Sequence, residues 1–220
     1  MMLLKLKKEA IEDLRYLLSR GYDRSHAIKF IGDRYLLNKE QRLLLYRAVY
    51  SQEISYIHKS KLVFPEEIKG NKLLIDGFNV IWTVFSAIKG RPVFLCDDGI
   101  VRDISGIHGS IINEEIFSEL KLIVSNIVQL MPSETIFFFE KQISKSGEIA
   151  KIIRILLKEN NLFGDAKVVT SPDYELTFLD GIVSTSDSII IEKVKKIFDL
   201  AAYIINKLNI RPLTLSDISV

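Results

Sequence analysis

A short apolar run that ends in a carboxylate constrains this chain more than any other stretch. Residues 72–75 read Lys-Leu-Leu-Ile, and Asp76, Gly77 and Asn79 follow. An apolar run of this length, bounded by turn residues, is typical of a buried strand. Because a buried strand holds a free carboxylate only at a large cost, Asp76 is expected at its carboxyl end, in a crevice. Gly77 would allow a sharp turn and Asn79 would cap the next helix. A simple Asp-Gly turn is the alternative.

The same order of strand and acid recurs along the chain. Further strands are predicted from apolar runs at 93–96, 135–139, 166–169 and 181–185, with helical patterns between most of them. Strands that alternate with helices form a parallel sheet, so the predicted fold class is α/β with a mainly parallel sheet. The carboxyl ends of such strands share one edge, where ligands bind. The acids expected to converge there are Asp76, Asp97, Asp98, Glu140, Asp173 and Asp187.

Converging carboxylates indicate a metal site. Two like charges repel by roughly 1 to 4 kcal/mol at 4 Å, so such a cluster is protonated, hydrogen-bonded or metal-bound. A ligand set made of oxygen atoms suits Mg²⁺ or Mn²⁺, and these ions activate water during phosphodiester cleavage. The alternative, that the acids are ordinary loop residues or helix caps, stays open for each of them.

Two loops offer further candidates for binding a substrate. Ser144, Lys145 and Ser146 precede a predicted helix, where backbone N–H groups, hydroxyls and an ammonium group would hold a phosphate. An ordinary serine cap is the alternative. His108, in a glycine-flanked loop, would relay protons or bind a base, or is simply exposed. The chain has no phosphate-loop motif, dinucleotide glycine fingerprint or His-Glu-x-x-His zinc motif.

The N-terminal part differs in charge from the rest. Residues 1–61 hold 13 basic and 7 acidic side chains, whereas residues 62–220 hold 17 and 21. Apolar positions at helical spacing predict three short helices, similar to a helix-turn-helix bundle, and Gln41 is placed to form a capping box with Asn38. These helices would contact a polyanion through a basic edge, or present an ordinary solvated face. The basic edge consists of Arg42, Arg47, His58, Lys59 and Lys61.

Composition sets the domain limits and the expected compartment. A stretch with proline, glycine and several charges divides an α-helical domain at 1–64 from an α/β domain at 65–210, and a C-terminal tail at 211–220 shows no clear period. No apolar run approaches the length of a membrane span, and the start of the chain lacks the apolar region of a secretion signal. The single cysteine, Cys96, excludes an internal disulfide and a cysteine-rich zinc site. A cytoplasmic protein without a membrane partner is expected.

Four short stretches resemble known families. Leu73–Val80 resembles the opening motif of PIN-like nucleases, notably the NYN branch, in which a strand ends in Asp and Asn follows closely. Val183–Asp187 is similar to their late strand motif, which ends in Asp. Between them, Cys96–Gly106 and Ile143–Glu148 resemble signatures of an uncharacterised, mainly archaeal family placed near the PIN-like fold. The resemblance covers roughly residues 40–207.

The resemblance implies a three-layer α/β/α domain that binds Mg²⁺ or Mn²⁺ and cleaves RNA. Asp76 and Asp187 match the first and last metal-binding acids of these nucleases, and Glu140 stands where a middle acid comes. Asp103 is another candidate for that middle metal ligand. Asp76, Glu140 and Asp187 would then be the catalytic residues, with Asn79 orienting Asp76 or the substrate.

A metal-dependent ribonuclease is therefore the predicted function, with RNA as the partner. Lys145 and the basic N-terminal helices, including Arg42 and Arg47, would hold the RNA backbone. Two alternatives stay open: a non-catalytic nucleic-acid-binding or regulatory protein that uses those helices, and a small-molecule phosphohydrolase that uses the same acids. Assembly into a homo-oligomer is also left open.

Overall fold

The structure, a computed structural model, describes residues 5–104 and 116–220. The first helices in these ranges are α1 (Lys8–Ser19), α2 (Arg24–Arg34), α3 (Lys39–Ala48) and α4 (Gln52–Lys61). After a 3-10 turn at Pro65–Ile68, the elements are β1 (Lys72–Asp76), α5 (Gly77–Ile88), β2 (Val93–Leu95), β3 (Val101–Asp103), α6 (Ile116–Leu130), β4 (Glu134–Glu140), α7 (Ser146–Glu159), β5 (Gly164–Val169), α8 (Pro172–Phe178), β6 (Ile182–Ser184), α9 (Ser188–Lys193), α10 (Leu200–Lys207), β7 (Leu213–Thr214) and α11 (Leu215–Ile218). No helix in the described ranges has both the length and the apolar character that crossing a membrane requires. The loop of His108 lies outside those ranges.

The predicted α/β class with a mainly parallel sheet is confirmed. Strands β1, β4, β5 and β6 pair in parallel, in the order β5-β4-β1-β6. Strand β1 therefore lies between β4 and β6, with Leu74 opposite both Ile136 and Val183. This register brings the carboxyl ends of β1, β4 and β6 to the same edge.

Helices cover both faces of this sheet. Leu73 and Ile75 of β1 face a core made with α5, α6, α7 and α10, whereas Leu74 faces a core made with α8 and α9. Side chains alternate between the faces of a strand, so Asp76 is on the face of Leu74. By the same rule, Glu140 is on the α8–α9 face, as Phe138 is. The two acids therefore share one face and one edge of the sheet.

Strand β2 lies in a second sheet, which corrects the prediction for its acids. It pairs antiparallel with β3 and parallel with β7. An Asp-Gly hairpin turn joins β2 to β3: the N–H of Cys96 donates to the carbonyl of Ile100 at 3.0 Å, and Gly99 has a φ of +81°. Since β2 is not in the main sheet, Asp97 and Asp98 do not reach the edge where Asp76 ends its strand.

The N-terminal helices pack against this second sheet and not only against each other. Their apolar side chains form one core with Phe94 of β2, with Cys96 directly after it, and with Leu215 and Ile218 of α11. The predicted capping box of α3 is confirmed. The sequence predicted three helices, and α4 is a fourth, capped by the hydroxyl of Ser51.

The chain after β6 forms two helices, although its apolar residues continue at helical spacing over residues 188–208. Between α9 and α10, residues 196–198 lie along β6: the N–H of Val183 donates to the carbonyl of Lys196 at 3.1 Å, and the N–H of Phe198 donates to the carbonyl of Val183 at 2.9 Å. Residues 61–63 lie along the outer side of this segment, through bonds between Ile197 and both Lys61 and Val63. Pairing with distant strands therefore overrides the helical pattern.

Candidate active site

The turn from β1 into α5 places Asp76 at the edge of the sheet. Gly77 is already helical, and a Cβ atom there would overlap the ring of Phe139. Glycine is thus required by the close approach of α5 to β4, not by a special turn as predicted. Asn79 lies inside α5 and does not cap it. Its side-chain oxygen instead accepts from the N–H of Ser186 at 3.0 Å and from the Ser186 hydroxyl at 2.7 Å.

The loop after β6 completes the contact with Asp76. The hydroxyl of Thr185 donates to Asp76 Oδ2 at 2.9 Å and accepts from the N–H of Asp187 at 3.1 Å. Asp187 Oδ1 accepts from the N–H of Ile189 at 2.7 Å and so caps α9. The buried hydroxyl of Thr185 therefore connects the Asp76 carboxylate to the backbone of Asp187.

A pocket of about 360 Å³ opens above these residues. Acids reach it from the ends of β1 and β4, from the loop after β6 and from the start of α8. We call it the acidic pocket, and its lining includes Asp76, Glu140, Asp173, Asp187, Asp103, Asn79, Arg47, Trp82 and Ile143. Four residues predicted as metal ligands thus share one cavity: Asp76, Asp103, Glu140 and Asp187.

The acidic pocket is short of positive charge. Burial raises the pKa of Asp76 to about 7; the Thr185 hydroxyl opposes this effect, and the charge of Asp187 adds to it. Burial and Asp187 also raise the pKa of Asp173. These carboxylates destabilise one another when ionised, so a bound cation would relieve the repulsion.

The donor chemistry fits Mg²⁺ or Mn²⁺, since every acid here offers oxygen. Within residues 5–104 and 116–220, no three Asp, Glu, His or Cys side chains lie close enough together to hold an ion as they stand. Mg²⁺ commonly uses one or two carboxylates, with water and substrate phosphate as the other ligands. Asp187 is the carboxylate whose charge acts most strongly on Asp76.

Arg47 brings the N-terminal helices into the acidic pocket. Its guanidinium donates to the backbone carbonyl of Asp103 at 2.7 Å and to the Asp103 carboxylate at 3.2 Å. Asp103 is therefore already paired with a cation, which makes it a weaker metal candidate than Asp76 or Asp187.

The other predicted binding residues do not line the acidic pocket. Ser144 is exposed, Ser146 is buried, and Lys145 precedes α7 in the left-handed region with a φ of 64°. Arg42 instead joins α2 to α3, donating to the carbonyl of Leu37 and to Asp33, both at 2.9 Å. The proposed roles of these residues in binding thus receive no support from their positions.

The acids after β2 belong to buried or half-buried ion pairs. Asp97 accepts from Arg15 at 2.8 and 2.6 Å. Asp98 is fully buried between His58, at 2.8 Å, and Arg102, at 2.7 Å from each oxygen. Burial would raise the pKa of Asp98, but these two partners outweigh it and hold the pKa at about 2. His58 is thus internal and does not belong to an exposed basic edge.

Sequence reasoning missed the residues that hold the site together. Thr185 and Ser186 precede Asp187 in a Thr-Ser-Asp run, which is a signal that could have been used. Arg102 donates from Nε to the carbonyl of Ser186 at 2.7 Å, linking the buried cluster of Asp98 to the loop after β6. A lone arginine in a hairpin carries no such signal.

These features define a class: an α/β protein with an acidic pocket at the carboxyl edge of a parallel sheet, completed by an arginine from an N-terminal helical segment. The chain belongs to the family of the "Domain of unknown function (DUF5616)", which matches residues 65–203. Residues 6–61 match a "Protein of unknown function (DUF434)". The "Uncharacterized protein MJ0935" of Methanocaldococcus jannaschii is 37% identical over 198 residues, which are 89% of this chain and 94% of that protein. No solved structure matches the chain.

Proposed function

We propose that this protein is a metal-dependent ribonuclease with a PIN-like, NYN-type α/β/α domain. The observation that carries the proposal is the convergence of Asp76, Asp187 and Glu140 in one pocket, from three parallel strands. The raised pKa of Asp76 supports it, because groups with perturbed pKa values gather at functional sites.

In this proposal Asp76 and Asp187 hold Mg²⁺ or Mn²⁺, and Glu140 and Asp173 add negative charge around it. The ion would supply a Lewis acid for the phosphate and a more acidic bound water. The residues of the chain fix the geometry. Thr185 orients the Asp76 carboxylate, and Asn79 holds the loop that carries Asp187.

The non-catalytic alternative draws less support from the structure. It needs a free basic edge on the N-terminal helices, yet His58 is buried against Asp98. Lys61 is also engaged, since its ammonium group donates to the carbonyls of Ile191 and Glu192 at 2.7 and 2.8 Å.

A cleavage assay with matched variants tests the proposal. Wild type is incubated with single-stranded and with structured RNA, in Mn²⁺, Mg²⁺ or EDTA, beside Asp76→Asn and Asp187→Asn. Asp180→Asn is the control, because this exposed acid precedes β6 at the opposite end of the strand. We expect cleavage only with metal, and a loss of at least roughly 100-fold in the two pocket variants but not in the control.

Three outcomes contradict the proposal in different ways. Equal cleavage by wild type and Asp76→Asn removes the acidic pocket from the reaction. Turnover of p-nitrophenyl phosphate without cleavage of RNA supports the phosphohydrolase. Salt-sensitive RNA binding without any cleavage supports the non-catalytic protein.

A further inference from the structure

A second cleft continues from the acidic pocket toward the N-terminal helices. Its volume is about 140 Å³, and it shares Arg47, Asn79 and Asp187 with the acidic pocket. Its other walls are formed by α3 and the turn after it, by Arg102 and by the start of α9. We call it the tyrosine cleft, after Tyr46 and Tyr50.

The tyrosine cleft presents apolar surface from two sides. Tyr46 on α3 is 47% exposed, and Ile189 on α9 is 52% exposed. An exposed aromatic ring and an exposed aliphatic side chain that line the same cleft suit a flat, partly apolar group.

The aromatic wall is held rigidly and carries positive charge. The guanidinium of Arg24 lies 5.1 Å from the ring centre of Tyr46 and 4.3 Å from that of Tyr50. It donates to the backbone carbonyls of Tyr46 and Val49, which fixes the end of α3. Arg102 lies 5.0 Å from the ring of Tyr50 on the buried side. Arginines on aromatic rings are a common feature of sites that stack nucleobases.

Charge is therefore divided between the two neighbouring cavities. The acidic pocket collects carboxylates, whereas the tyrosine cleft collects arginines and aromatic rings, and Arg47 and Asp187 stand between them. With a cation held by the carboxylates, as in the proposed function, a ligand that spans both would place an anionic group on the cation and a flat ring in the tyrosine cleft. A nucleotide within a strand has this chemistry.

We propose that the tyrosine cleft binds one unpaired base of a single-stranded nucleic acid, next to the phosphodiester in the acidic pocket. The base would stack on Tyr46 and contact Ile189. Since a paired base cannot enter the cleft, the N-terminal helices would make the protein prefer single strands over duplexes. This inference rests on the proposed function for the cation site next to the cleft, but not on cleavage.

A binding assay separates this inference from cleavage. Fluorescence anisotropy of a labelled 12-nucleotide RNA, and of its duplex, is measured with the full chain in Ca²⁺, which also takes oxygen ligands, and a gel of the recovered RNA checks that it is uncut. Stacking of one base corresponds to a change of roughly 5- to 150-fold in affinity. We expect Tyr46→Ala to weaken single-strand binding within that range and Tyr46→Phe to retain it.

Two further variants keep the test decisive. Tyr16→Ala is the matched control, since Tyr16 is 59% exposed and has the guanidinium of Arg20 5.2 Å from its ring centre, but lies outside the cleft. Ile189→Ala examines the opposite wall and should also weaken single-strand binding. Equal affinity for duplex and single strand, or equal losses in Tyr46→Ala and Tyr16→Ala, would overturn the inference. Single-strand binding that depends on Tyr46 in a protein without cleavage would retain the inference and remove only the proposed reaction.

Discussion

Replacing Asp76 with asparagine should stabilise this protein more at high pH than at low pH. Burial is the main reason that the pKa of Asp76 rises from 3.8 to about 7, and Asp187 adds to it. Between these values the folded state keeps a proton that the unfolded chain has lost, so wild-type stability falls as the pH rises. At about 1.4 kcal/mol per pKa unit, the ionised carboxylate costs the folded state at most about 4 kcal/mol.

The pH-dependent part of this cost can be measured. Asparagine keeps an oxygen for the hydroxyl of Thr185 but removes the charge. The stability of Asp76→Asn relative to wild type should therefore grow by about 2 to 3 kcal/mol between pH 5 and pH 8. Urea unfolding in EDTA at both pH values gives the two differences, and added Mg²⁺ at pH 8 should recover part of the loss in wild type only.

A buried aspartate with the opposite shift provides the control. The pKa of Asp98 is held at about 2, below its unfolded value of 3.8, by His58 and Arg102 against the effect of burial. Its contribution is fully present above pH 4 and is lost as the pH falls through 2. Asp98→Asn should thus lower the free energy of unfolding by about 2 kcal/mol at pH 5, and it should not become stabilising at pH 8. If the stability of Asp76→Asn relative to wild type does not grow from pH 5 to pH 8, the reasoning about the acidic pocket is refuted.

Three further substitutions test the packing around the site. Gly77→Ala should lower the free energy of unfolding in urea by roughly 1 to 3 kcal/mol, because the added Cβ atom overpacks the site. Gly147→Ala should not lower it, because a Cβ atom at that position has no other atom within 4 Å. Arg102→Met leaves the Asp98 carboxylate buried without its arginine partner, and the free energy of unfolding, measured by thermal unfolding, should fall by about 3 kcal/mol or more. A smaller fall than that of Gly77→Ala would contradict this. Thr185→Val removes a hydrogen bond that lowers the pKa of Asp76, so the fall in stability should extend to higher pH. Thr185→Ser keeps the hydroxyl and should not extend it.

The strands of the main sheet were predictable because burial on both faces produces continuous apolar runs. The runs before Asp76 and Glu140 mark β1 and β4 to within a residue. The run at 93–96 looks the same, yet it belongs to another sheet, since local sequence does not encode which strands become neighbours. The break at 194–199 was hidden for the same reason: Ile197 is extended because of its partners in β6 and in residues 61–63.

The acids at the strand ends were predictable, but the groups that position them were not. Asp76 and Asp187 each follow an apolar run, so one rule about sheet edges brings them together. Arg47 enters the acidic pocket through a contact with a residue 56 positions away. Arg102 reaches the loop after β6 across 84 positions. Contacts at such separations leave no periodic trace in the chain.

The segment along β6 also has a bearing on how this protein avoids aggregation. An uncovered outer strand offers its N–H and C=O groups to other molecules. Here residues 196–198 occupy that border of β6, and residues 61–63 cover them in turn. Residues 61–63, which join the helical segment to the sheet, thus also protect the edge of the sheet. Proteolytic cleavage at 62–64 would weaken this pairing, and the exposed N–H and C=O groups would promote self-association.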